Sequence, residues 1–221
     1  MKPNVKPIAR IQQNVLARSE RRLLTWLCGK LPAWVMPDHL TTLALVGAGV
    51  IFAGYAASAA DPRWLLLAIS GYFIHWFGDS LDGSLARFRE IERPRFGYFV
   101  DHSADALGTM MIVLGIGLSP YVRLDVALLA LAGYYLLSIH AFLAVRVVGE
   151  LKLSYVAAGP TELRLILIAM SLTMLGVRMP RPVYGPFSAF DIAMGVAGLA
   201  MIAIFVVQTG IVARRILREG E

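Results

Sequence analysis

Six apolar segments stand out along the chain, near residues 40–60, 63–86, 96–118, 122–147, 162–177 and 190–212. Most approach the length a helix needs to cross about 30 Å of hydrocarbon, and the fifth is the shortest. Their apolar residues run on without alternation, and Leu, Ala, Ile and Gly dominate, so the pattern predicts helices and not barrel strands. Breakers separate them at Asp61 and Pro62, Ser119 and Pro120, Gly159 and Pro160, and from Pro180 to Pro186. Ahead of the first segment, Val5, Ile8, Ile11, Val15, Leu23 and Trp26 gather toward one side of a helix. Lys6, Arg10, Arg18 and Arg21 lie mostly away from it. That arrangement predicts an amphipathic helix on a membrane surface, held by burial and by attraction to anionic lipid; a solvated basic arm is the alternative. No apolar run follows the early lysines, so a signal peptide is not expected. The expected fold is all-α and integral to the membrane. It comprises an N-terminal segment over 1–38 with the interfacial helix, a six-helix transmembrane bundle over 39–213 and a short tail over 214–221.

Composition supports this. Hydrophobic residues make up 57% of the chain and charged residues 16%, with a mean hydropathy of +0.65. A soluble domain carries nearer a quarter charged residues, so a soluble enzyme and a disordered tail are excluded. The single cysteine, Cys28, has no partner for an intrachain disulfide. A net charge of +6 invites a nucleic-acid reading, but the placement of the 21 basic residues argues for topology instead. Only Arg63, Arg123, Arg178 and Arg181 fall on one side of the predicted bundle; all others precede the first span, follow the last, or sit between spans two and three or four and five. By the positive-inside rule both termini are cytoplasmic, which requires an even number of spans. The expected location is a multi-pass position in the membrane (the inner one in a bacterium), with no nucleic-acid partner.

Four carboxylates at the ends of apolar segments carry the chemistry: Asp79, Asp82, Asp101 and Asp105. Carboxylates are costly there and usually functional. The i, i+3 and i, i+4 spacings put each pair on one helix face, and antiparallel helices let the pairs meet. Four carboxylates at one point repel, so protons or cations must be present. Hard oxygen ligands suit Mg²⁺, Mn²⁺ or Ca²⁺, and four of them are enough to bridge two ions. Gly83 and Ala86 leave room beside them, Arg87 offers a fork for phosphate, and Gly97 keeps the mouth open one turn before Asp101. Together these describe a diphosphate site at the cytoplasmic membrane face.

The residues read Asp79-x2-Asp82-Gly83-x2-Ala86-Arg87-x9-Gly97-x3-Asp101-x3-Asp105. This pattern of eight spaced positions resembles the signature of the CDP-alcohol phosphotransferases, also called CDP-alcohol phosphatidyltransferases. Six spans, cytoplasmic termini and a leading interfacial helix are similar to that family as well. The resemblance implies an enzyme that cleaves a CDP-alcohol donor, transfers its phosphoalcohol part to a hydroxyl on an acceptor alcohol or lipid and releases CMP, using two divalent cations, Mg²⁺ or Mn²⁺. It implies that Asp79, Asp82 and Asp101 ligate metal, that Asp105 is both ligand and general base, and that Gly83, Ala86 and Arg87 surround the CDP moiety. Asp79 and Asp82 are then also close to the nucleotide.

Beyond the signature, Pro37-Asp38-His39-Leu40-Thr41 resembles the Pro-Asn-x-(Ile/Leu)-Thr entry to the family's first span. Asp38 replaces the usual asparagine; it is a nucleotide-binding candidate or a helix N-cap, and Thr41 lines the site or is a helix cap or buried hydroxyl. Gly159-Pro160-Thr161-Glu162 looks like the Gly-Pro-Thr-Glu of choline and ethanolamine phosphotransferases, which use CDP-choline or CDP-ethanolamine and diacylglycerol, or reads as a plain helix start. Small members more often pair CDP-diacylglycerol with a polar alcohol, and that branch is preferred. A phosphorylated acceptor needs cations, for which Arg146, Lys152 and Arg164 are candidates that also satisfy topology unaided. His102 is expected to face elsewhere at i+1 from Asp101, His75 to pack or to stand behind the metal ligands one turn before Asp79, and Gly115, Gly117, Gly195 and Gly198 to allow close helix contact or a homodimer. A divalent-cation transporter and an inactive scaffold of the same fold are the competing classes.

Overall fold

The computed structural model describes residues 17–148, 160–177 and 180–219. It is almost entirely helical. Helix α1 (Ala17–Lys30) precedes α2 (Pro37–Ala57), α3 (Leu65–Phe88), α4 (Pro94–Leu118), α5 (Leu124–Val148), α6 (Pro160–Gly176) and α7 (Ala189–Glu219). A single 3₁₀ turn, Pro62–Trp64, leads into α3, with the Asp61 carboxylate accepting from the Arg63 amide at 2.8 Å. Helices α2 to α7 match the six predicted segments in order. A small antiparallel hairpin that the sequence reading did not foresee, β1 (Pro182–Tyr184) and β2 (Phe187–Ser188), turns at Gly185, whose φ of +53° suits glycine.

Among the described residues four helices are long and apolar enough to cross a membrane: Pro37–Ala57, Pro94–Leu118, Leu124–Val147 and Ala189–Arg218. The chain is therefore an all-α membrane protein. Two of the six predicted spans do not qualify by length and composition, for physical reasons. Helix α3 carries His75, Asp79 and Asp82, which lower its hydropathy, and α6 has only 17 residues.

Helices α2 and α3 form the most intimate pair. A Cβ on Gly54 would lie 2.4 Å from the Ala68 amide nitrogen, and one on Gly78 would lie 2.5 Å from both the Ala44 nitrogen and the Leu40 oxygen. The backbones thus touch where these glycines sit. Gly115 and Gly198 play the expected close-contact part inside the chain, against Phe52 and Ala130. The main core runs through Ile51 and Tyr55 of α2, Leu65 and Tyr72 of α3, Ile116 of α4, Ala127 of α5 and Met174 of α6. Inside it the Tyr55 hydroxyl meets Ser171 Oγ at 2.6 Å and the Tyr72 hydroxyl at 3.2 Å, so these three buried hydroxyls satisfy one another.

A second, smaller core docks α1. Leu24, Leu27 and Cys28 pack with Val35, Leu40, Leu81 and Leu85, leaving Leu23 and Trp26 exposed on the far side. Burial pushes the Cys28 thiol up from its ordinary pKa, against the pull of the Arg89 and Arg87 charges. The predicted stripe from Val5 to Val15 lies outside the described residues. One side chain fixes the link between α1 and α2: the Arg89 guanidinium donates to the carbonyls of Leu31, Pro32, Ala33 and Val35 at 2.6–3.2 Å. At the opposite end of the bundle, buried Asp191 accepts from the Arg123 and Ser188 amides at 2.7 and 2.8 Å, tying the start of α7 to the start of α5.

Candidate active site

The site lies where the last turns of α3 face the first turns of α4. Residues 89–93 connect the two helices. Helix α3 closes with a Schellman pair: the Ile91 amide donates to the Ala86 carbonyl at 3.0 Å and the Glu90 amide to the Arg87 carbonyl at 3.2 Å. This closure puts Glu90 at a φ of +57°, a left-handed conformation normally given to glycine. The sharp reversal brings the two aspartate pairs face to face.

Asp79, Asp82, Asp101 and Asp105 all line one small cavity of about 10 Å³, together with Thr41, Ala44, Leu45, His75 and Ala104. Its volume is close to that of one water-sized sphere. The spacing argument for the aspartates therefore describes the real geometry. Asp82 is held at both oxygens: one accepts from the Thr41 hydroxyl at 2.7 Å and the other from the Gly83 amide. Asp79 forms an ion pair with Arg164 of α6. On α4, Asp101, His102 and Asp105 each present a ligand atom within 4.8 Å of the others, and this group can hold a metal ion. Carboxylate oxygens and a neutral imidazole nitrogen suit a divalent cation, so the donor set fits one.

His102 corrects an expectation. Its Nδ1 lies 3.6 Å from Asp101 Oδ2 and 3.8 Å from Asp105 Oδ2, so it does not face elsewhere. Tyr98, in edge contact at 4.3 Å, and the Phe142 ring at 5.2 Å pack against the imidazole. His75 also lines the cavity, and it packs too: its Nε2 sits against Gly108, and its backbone against Gly47.

The remaining candidates are spread more widely. Thr41 lines the cavity, whereas Asp38 does not: it is exposed and ion-paired with Arg93, whose guanidinium also covers the Phe96 ring at 4.4 Å. Nor is Asp38 an N-cap. Met36 occupies that position, with its amide donating to His39 Nδ1 at 3.3 Å, and Pro37 opens the helix. Arg87 is exposed and within 3.4 Å of Ser84 Oγ, and nothing lies within 4 Å of where a Gly97 Cβ would stand, which fits an open mouth. Of the three acceptor candidates, Arg164 is at the site, Arg146 is exposed near the end of α5, and Lys152 lies outside the described residues, as does Gly159.

Glu20 was missed by sequence reasoning. Its carboxylate accepts from Trp76 Nε1 at 3.0 Å and from Thr161 Oγ1 at 2.7 Å, joining α1, α3 and α6. The signal was there: Glu20 is the sole acid among the first 37 residues of an otherwise basic segment.

The CDP-alcohol phosphatidyltransferase family matches residues 34–212, most of the chain and every residue that lines the cavity. The chain belongs to this family. Among curated relatives, cholinephosphotransferase 1 of Danio rerio is 35% identical over 96 residues, covering 41% of this chain and 25% of that protein. The human cholinephosphotransferase 1 is 33% identical over 97 residues, or 41% and 24%. Archaetidylinositol phosphate synthase of Methanothermobacter thermautotrophicus is 35% identical over 94 residues, or 42% and 45%. The chain thus matches between about a quarter and under half of the length of these relatives.

Proposed function

We propose that this family member is a membrane-embedded enzyme that transfers a phosphate-bearing group from a CDP-alcohol to an acceptor hydroxyl and releases CMP. The convergence of the four signature aspartates on one cavity carries the reading. Asp79, Asp82, Asp101 and Asp105 would hold two divalent cations, Mg²⁺ or Mn²⁺, and His102 joins the candidate ligands. Bound there, the cations would neutralise the diphosphate and stabilise charge on the phosphorus under attack. The chain's own groups do the rest. Asp105 takes the proton of the attacking hydroxyl, Thr41 fixes the orientation of Asp82, and Gly83, Ala86 and Arg87 border the nucleotide. Arg146, Lys152 and Arg164 are proposed to meet an acceptor phosphate.

The same reading makes α2 to α7 six spans, α1 a helix on the inner leaflet, and both termini and the site cytoplasmic. The distribution of basic residues supports that orientation. For the donor we infer CDP-diacylglycerol or a similar CDP-linked lipid, with a polar alcohol as acceptor. The presence of Arg164 at the site favours an acceptor or donor rich in phosphate. A second reading, CDP-choline or CDP-ethanolamine with diacylglycerol, is favoured by the Gly-Pro-Thr-Glu segment and by the cholinephosphotransferase relatives. Offering each donor separately to purified protein, with its matching acceptors, decides the branch. CMP from the CDP-lipid alone supports the first reading, and CMP from CDP-choline or CDP-ethanolamine alone replaces it with the second.

A further inference from the structure

Arg164 reaches Asp79 from α6, across 85 residues of sequence, and both side chains are largely buried, at 12% and 18% exposed. The pose of α6 that allows this contact is braced one turn earlier, where the Thr161 hydroxyl donates to Glu20 at 2.7 Å. Glu20 in turn is held by Trp76 of α3, one turn before Asp79. Arg164 is therefore directed at a cavity carboxylate, not left to extend into water.

A guanidinium and a divalent cation on the same shielded carboxylate repel each other, because the surroundings screen charge weakly. We infer that Arg164 and a divalent cation compete for Asp79, so that Arg164 sets the metal affinity of the site. The inference rests on the metal-dependent reading of this cavity. It assigns Arg164 a role distinct from holding the acceptor: a resident positive charge that steadies Asp79 against its three neighbours and must release it when a cation binds. A phosphate-bearing ligand that draws the guanidinium away would relieve the competition. By reciprocity such a ligand and the cation would then favour each other's binding.

The test is a Mn²⁺ titration of the full chain in detergent, with free Mn²⁺ read by electron paramagnetic resonance, for the parent protein, Arg164→Gln and Thr161→Val. Loss of a charged contact of this kind predicts that Arg164→Gln binds Mn²⁺ about tenfold more tightly, or better. Thr161→Val, which loosens α6 without changing charge, is expected to move the affinity the same way by a smaller factor. Unchanged or weaker binding by Arg164→Gln would overturn the inference and make Arg164 a brace for Asp79. Where Arg164→Gln is not monodisperse, Thr161→Val decides by the same criterion. The titration reads binding alone. Tighter Mn²⁺ binding in a chain that never forms CMP removes the proposed function, and CMP formation with unchanged affinity removes only the competition.

Discussion

Asp105 and Thr41 show how differently two side chains on one cavity can act. Asp105 is the carboxylate assigned to proton removal, and its isosteric variant Asp105→Asn keeps the shape while losing the basic oxygen. CMP release by Asp105→Asn should fall by about 10²-fold to 10⁴-fold, the usual range for a positioned base. Near-normal turnover would remove the base assignment. Thr41 acts through another residue: its hydroxyl donates to Asp82 at 2.7 Å and so orients that carboxylate. Thr41→Val should weaken Mn²⁺ affinity or turnover by about 10- to 100-fold, the effect of removing a group that orients a metal ligand. The aspartates were legible in the sequence because their spacing carries the geometry. His102 was not, because adjacency to Asp101 says nothing of how Tyr98 and Phe142 pack against its ring.

The α2–α3 contact and the α3–α4 turn position these groups. Gly78 immediately precedes Asp79, and a side chain there meets backbone of α2 at 2.5 Å, which cannot yield as a flexible side chain would. Gly78→Val should therefore lower thermal stability by about 1–3 kcal/mol or more and abolish turnover by displacing Asp79. Gly97→Ala, with open space around it, should leave the melting temperature near that of the parent. At the turn, Glu90 adopts a left-handed φ of +57°. Glu90→Gly should relieve about 1 kcal/mol of strain and raise the melting temperature. A drop in melting temperature would show that the Glu90 side chain matters more than its backbone. Helix positions were readable from apolar runs and breakers, but this turn was not, since a glutamate gives no sign of a left-handed residue. The Arg89 clamp on four carbonyls was equally hidden, for an arginine between two spans reads first as topology.

Across the chain, the order of helices follows from the pattern of apolar residues, while the counting of spans does not. Polar groups that line the cavity lower the hydropathy of α3, so a helix that builds the site falls short of a span by composition. Long-range ties such as Glu20 to Thr161 and Arg164 to Asp79 connect residues 141 and 85 positions apart, beyond the reach of local periodicity. The aspartate cavity and the match over residues 34–212 are the two observations behind the proposed account, in which four carboxylates would hold divalent cations for phosphoryl transfer at the membrane face. The most direct test is CMP release by the purified full chain from CDP-linked donors, with and without Mg²⁺ or Mn²⁺, beside Asp101→Asn. The account predicts CMP formation that requires the added cation, stops on chelation and is lost in Asp101→Asn. CMP formation indifferent to chelation, or cation uptake into vesicles with no CMP from any donor, would contradict it.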